Sequence, residues 1–367
     1  MRDPRVEKLA AVLVRYSLQL KPGDWFLIEG QAVAAPLMRA VYAEALRAGA
    51  NPMARAVIDG VDEIFLRNAS DEQLRFIPEN LRLETEKLDA RLSIMATMNT
   101  KALTGVDPRR AAMRQAAMRD VSRRFLERMG SKELRWCGTL FPNQANAQDA
   151  EMSLSDYEDF VFGAGLLDQD DPIAAWQAVS REQQRIVDYL NQRSTIRVIG
   201  PETDLTLRTA GRRWVNCDGR ANFPDGEVFT CPIEDSVEGT IRYTFPAVYG
   251  GREVQDVRLR LEKGRVVEAT ASRGETYLRE MIALDEGASR VGEFAIGTNF
   301  GIRRFTKSTL FDEKIGGTVH MALGASLPEA GGVNVSGLHW DMVCDLRSGG
   351  EVQADGRTIH KDGKFLI

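Results

Sequence analysis

Midway along the chain the apolar residues change their spacing, and that change constrains the fold more than any other feature. Up to about residue 193, short apolar runs alternate with helical patterns. Val6, Leu9, Ala10, Leu13 and Val14 recur at helical spacing. The turn signal Lys21-Pro22-Gly23-Asp24 leads into an expected strand at 25–28. Segments 53–57, 92–96 and 134–137 read as further strands, with helices over 36–48 and 108–129 between them. Strands alternating with helices predict an α/β unit, a Rossmann-like parallel sheet with helices on its faces.

Asp171-Pro172 then opens a long helix through Trp176, Val179, Ile186 and Leu190. This reads as a bridge, so that residues 1–193 form an N-terminal α/β domain and 194–367 a β-rich, mixed α+β domain. Short strand candidates crowd the second part at 195–199, 204–207, 213–216, 228–230, 240–244, 257–261 and 266–270. A helix is expected over 274–284, and Asp355-Gly356 and Asp362-Gly363 are hairpin signals.

Several function classes lose support at this point. The net charge is -5 and no basic stripe with interleaved aromatics occurs, so nucleic acid is not an expected partner. No apolar run reaches the ~18–20 residues of a membrane helix. The first residues lack the apolar stretch of a secretory signal, and Cys137, Cys217, Cys231 and Cys344 are scattered without a Cys-x-x-Cys pair. These features suit a reducing, cytoplasmic setting, with the cysteines as small buried hydrophobes. The early strands are followed by neither Gly-x-Gly-x-x-Gly nor a Walker-type lysine loop, which moves the search for chemistry to the second half.

Histidine is scarce there, with only His320, His339 and His360. In Leu338-His339-Trp340-Asp341-Met342, a strand would put His339 and Asp341 on one face and Trp340 and Met342 on the other. An imidazole beside a carboxylate suits Zn²⁺, Co²⁺ or Mn²⁺. In Thr318-Val319-His320-Met321-Ala322, His320 shares a face with two small residues, which leaves room for an ion. Glu227 and Glu293 are lone acids in apolar surroundings, where a carboxylate is costly without a cation or hydrogen bonds. Two metal ions ~3.5–4 Å apart would compensate them. A hydrogen-bonded His-x-Asp pair, a core histidine and ordinary turn acids remain open as alternatives. His360, beside a turn, reads as an exposed hairpin residue.

The segments Asn222-Phe223-Pro224-Asp225-Gly226-Glu227-Val228-Phe229, Gly292-Glu293 with Gly297-Thr298-Asn299, Leu310 through His320, Pro328-Glu329-Ala330-Gly331-Gly332-Val333-Asn334 and His339-Trp340-Asp341-Met342-Val343 together resemble the thermophilic leucyl aminopeptidase family, which includes aminopeptidases T and S. The resemblance implies a cytosolic metallo-exopeptidase acting on short peptides. It also implies two divalent ions per chain (Zn²⁺ or Co²⁺, or Mn²⁺) and a homodimer. Carried over, the metal ligands fall on Glu227, Glu293, His320, His339 and Asp341, with Glu227 or Glu293 also moving the proton. Arg303, Arg304 and Lys307 lie between ligand segments, where they could receive a peptide carboxylate. Leu327-Pro328-Glu329 stands where classical members carry Tyr-Pro-Glu, and leucine can neither donate a hydrogen bond nor ligate a metal. A similar ring-cleaving iron dioxygenase of dihydroxypyridine type is the alternative, with one Fe²⁺ on Glu293, His339 and Asp341.

Overall fold

The computed structural model describes residues 3–367. Two compact units emerge, one running up to Ile173 and including Gly219–Pro224, the other made of Ala174–Asp218 and Asp225–Ile367. The first holds a five-stranded sheet in the order Asn51–Val57, Trp25–Gln31, Ala90–Met95, Arg135–Leu140, Asn222–Phe223. Every pairing in it is parallel. Phe26, Leu27, Ile28 and Leu92 are fully buried, as the apolar runs require when helices cover a parallel sheet. The helices Ala35–Arg47 and Pro108–Gly130 lie where their periodicity predicts. The fifth strand is the unexpected one, a two-residue edge supplied by the second half of the sequence.

The second unit contains two main antiparallel sheets. An eight-stranded sheet runs from Arg265–Thr270 at one edge to Lys364–Phe365 at the other. A five-stranded sheet has the order His339–Asp345, Thr318–Gly324, Val291–Gly297, Glu227–Thr230, Val215–Cys217. Alternation sorts the side chains of the smaller sheet. Val228, Phe294, Ile296, Val319, Met321, Trp340 and Met342 belong to the large apolar core. Their neighbours in sequence, including Glu227, Glu293, His320 and Asp341, take the opposite face. The expected α/β class, with its parallel sheet, flanking helices and a mixed second part, therefore holds.

The helix Pro172–Leu190 presents Ile186, Val187 and Leu190 to that core. Gln183 occupies the same stripe and is only 2% exposed. His360 departs from expectation, because it is buried against Phe365 rather than exposed. The cause is a register shift between its strand and Glu351–Ala354, after which Ile359 and His360 both point inward.

Candidate metal centre

Cross-strand register assembles the site. Ala322 pairs with Asp341 on one side and with Glu293 on the other, and Ala295 pairs with His320. The two alanines thus separate the larger polar groups and leave space between them. A register shift between Val291 and Glu293 re-aims the acid at the point where Gly292 lies against the next segment. A Cβ at position 292 would sit 2.2 Å from the Ala325 carbonyl oxygen, so only glycine fits there.

All five residues singled out from the sequence come together. His320 Nε2 lies 3.3 Å from Glu227 Oε2 and 3.7 Å from Glu293 Oε1. His339 Nε2 lies 3.2 Å from Glu293 Oε2 and 3.6 Å from Asp341 Oδ1. Glu293 therefore offers one oxygen to each imidazole. His339 Nδ1 donates to the Ala325 carbonyl oxygen at 2.9 Å, which orients the ring and leaves Nε2 facing the acids. Glu227–Glu293–His320 and Glu293–His339–Asp341 each bring ligand atoms within 4.8 Å of one another.

Burial dominates the electrostatics. It pushes the Glu227 carboxyl up to about 8, against the pull of Lys314. It likewise raises Asp341 to about 6, with Glu313 adding to the effect. Burial would also raise Glu293, but its contacts with His320 and His339 bring it well below the usual carboxylate range. Burial opposes charge on the imidazoles too, yet the neighbouring acids raise His320 to about 9 and His339 to about 10. Such a cluster holds protons tightly unless another cation replaces them. Among the described residues, Glu227 Oε2, Asp341 Oδ1 and His320 Nδ1 are buried without a hydrogen-bond partner. Acceptor atoms left open on a buried face are what a divalent ion satisfies, so the donor set fits a metal.

The sequence reading missed three neighbours. Glu313 brings a carboxylate oxygen within 4.8 Å of ligand atoms on His320 and Asp341. Lys314 is fully buried beside Glu313 and Glu227. Cys217 stands among Asp225 and Glu227 rather than in a purely apolar setting. Asp312-Glu313-Lys314 looks like a solvated charge run, and only its place inside an otherwise apolar, glycine-flanked segment hinted at burial.

Leu327 packs with Phe229, Cys231 and Ala295, the last two residues along its strand from Glu293. Thr298 donates to Gln183, and Tyr243 is buried beside Cys344. Arg303 and Arg304 are exposed, while Lys307 pairs with Glu253 at 3.4 Å. A narrow cleft opens on Asp341 and Glu313, with Pro246, Val248, Phe305 and Val343 on its apolar side and Lys307, Thr309 and Asp312 on its polar side.

A family model described as thermophilic metalloprotease (M29) matches residues 2–365. Aminopeptidase T of Thermus thermophilus is 31% identical, over 88% of this chain and 85% of that protein. Aminopeptidase 2 of Geobacillus stearothermophilus is 29% identical, over 99% of this chain and 95% of that one. The solved structure of wild-type AmpT from Thermus thermophilus superposes with a TM-score of 0.87 at 27% identity, covering 99% of each chain.

Proposed function

The chain belongs to the thermophilic metalloprotease (M29) family and is a metallo-aminopeptidase, and from that premise we propose that it removes N-terminal residues from short peptides at a two-metal centre held by Glu227, Glu293, His320, His339 and Asp341. One observation carries this reading: two ligand groups, Glu227–Glu293–His320 and Glu293–His339–Asp341, share Glu293. Glu293, with one oxygen toward each imidazole, would contribute to both groups. Glu313 is the further acid on the His320 and Asp341 side. Divalent ions bound there, Zn²⁺, Co²⁺ or Mn²⁺, would supply a Lewis acid for the peptide carbonyl, an anchor for the α-amine and a water acidified to near neutral pH.

The protein's own groups do the rest. Asp341, beside Glu313, is the ligand that meets the cleft, so the first substrate residue enters there, while Ala325 fixes the ring of His339. The apolar side of the cleft suits an aliphatic side chain. The proton released by the attacking water needs a carboxylate. Glu293 has both oxygens toward imidazoles and Glu227 has Oε2 toward His320 and Oε1 toward Lys314, so either of these two glutamates is placed to take it.

The iron dioxygenase reading finds no support in the comparisons, and a single-ion site would have no use for Glu227 and His320. A homodimer and a cytoplasmic location complete the proposal on the strength of the family resemblance. Among the described residues, no helix is long and apolar enough to cross a membrane. Metal analysis of protein purified without added metal, paired with a panel of dipeptides and tripeptides, tests the whole reading. Two ions per chain and N-terminal cleavage are expected, with Glu293→Gln losing both ions together. One tightly held iron and no peptide hydrolysis would overturn it.

A further inference from the structure

Lys314 lies two residues past the end of the short helical turn Thr309–Asp312, where a lysine ordinarily reaches water. Instead its side chain is 0% exposed. The ammonium donates to Glu313 and lies 3.7 Å from Glu227 Oε1 and 4.0 Å from Asp225 Oδ1. Asp225 and Glu227 are themselves buried, so the three charges have little water to share. Glu227 is thereby divided between two partners. Its Oε1 turns to Lys314, while Oε2 lies 3.3 Å from His320 Nε2.

A fourth group gives this corner a distinct chemistry. The Cys217 sulfur and one oxygen each of Asp225 and Glu227 lie within 4.8 Å of one another. A thiolate with two carboxylates is a donor set for a thiophilic divalent ion. The fixed ammonium lies near two of those donors, and Asp225 Oδ1 also accepts from the Gly226 N–H at 3.0 Å. Two buried acids need a countercharge, and either a lysine or a metal ion can provide it.

We propose that Lys314 is a built-in cation, a positioning residue that takes the place of a further divalent ion beside Cys217, Asp225 and Glu227 and turns a single oxygen of Glu227 toward His320. The inference rests on the metal-centre reading of Glu227 and deepens it. Lys314 limits the number of ions the centre accepts and fixes which oxygen of Glu227 faces them. A lysine serving only as a structural ion pair would do neither.

The test is a cadmium titration of metal-stripped full-length protein, followed by calorimetry and by the ultraviolet absorption of cadmium–thiolate bonds. Wild type should bind Cd²⁺ to the same stoichiometry as Co²⁺, without the thiolate band. Lys314→Ala should bind one additional Cd²⁺ per chain, release the Cys217 proton to solvent and show the band. The double variant Lys314→Ala/Cys217→Ser should lose the band and the additional ion. If Lys314→Ala is too unstable to purify, Lys314→Gln decides by the same readouts. A folded neutral variant with the wild-type cadmium count and no band overturns the inference, as does a thiolate band already present in wild type. Wild type that binds no divalent ion at all removes the metal-centre reading itself, and this inference with it.

Discussion

Gln183 sits at a buried position on the helix Pro172–Leu190, and replacing it by leucine should weaken both the second unit and its metal centre. Its Nε2 donates to Asn216 Oδ1 at 2.7 Å, to the Cys217 carbonyl at 2.9 Å and to the Glu227 carbonyl at 3.2 Å. Its Oε1 accepts from Thr298 Oγ1 at 2.9 Å. One amide therefore ties a helix to the strand of Cys217, to that of Glu227 and to the end of the Glu293 strand. Leucine matches the volume but makes none of these bonds. At ~1 kcal/mol net for each of about three full bonds, Gln183→Leu should cost roughly 3 kcal/mol. The Glu227 backbone would also lose an anchor, which for a group supporting a metal ligand typically costs about 10–100-fold in metal affinity. Urea unfolding followed by tryptophan fluorescence, with cobalt titration of the stripped protein, measures both effects. A variant within about 1 kcal/mol of wild type and with unchanged cobalt affinity would refute the reasoning.

Three further outcomes are expected. Burial holds His360 below its ordinary 6.5, at about 4. The unfolded chain therefore takes up this proton first as pH falls, so stability is full above about pH 6.5 and declines toward pH 4, by roughly 3 kcal/mol at most. His360→Leu should flatten that step, and parallel curves of urea midpoint against pH for the two proteins would sink the idea. Leu327→Tyr, which restores a donor on the cluster's face, should raise kcat on dipeptides by as much as ~10²-fold with little change in KM; an unchanged or lower kcat with metal content intact counts against it. Val248→Phe, which fills the cleft, should lower kcat/KM about 10–100-fold for leucyl peptides and leave alanyl peptides nearly unaffected, so equal losses on both would detach the cleft from the first substrate residue.

What the sequence disclosed follows from periodicity. His339-x-Asp341 and His320-x-Ala322 were readable because a strand repeats every two residues, and the intervening Trp340 and Met321 had to face a core. The four main strands of the parallel sheet were readable as apolar runs between turn signals. Asn222–Phe223 was not, since a two-residue edge strand carries no period and its partner lies far back in the chain. The domain boundary expected at 193 was drawn from the end of a helix, whereas the compact units divide near its start and exchange Gly219–Pro224. His360 misled because a register shift reverses alternation without any local signature. Gln183 left a trace that went unused: between Val179 and Ile186 it fills the apolar stripe with an amide, and a buried amide must have partners.

The sheet also explains why the ligands converge. Neighbouring strands lie about 4.8 Å apart, so side chains on one face of adjacent strands meet at ligand spacing with no help from loops. Glu293 is on the strand between those of Glu227 and His320, and the strand of His339 and Asp341 follows on the far side. Glu293 therefore meets His320 on the neighbouring strand and, across the small Ala322, reaches His339 on the strand beyond it. Moving any ligand by one residue would turn it into the apolar core, where Phe294, Met321 and Trp340 are already packed. The same alternation that buries the core thus holds the polar face in register, and Ala295 and Ala322 keep that face open by being too small to close it.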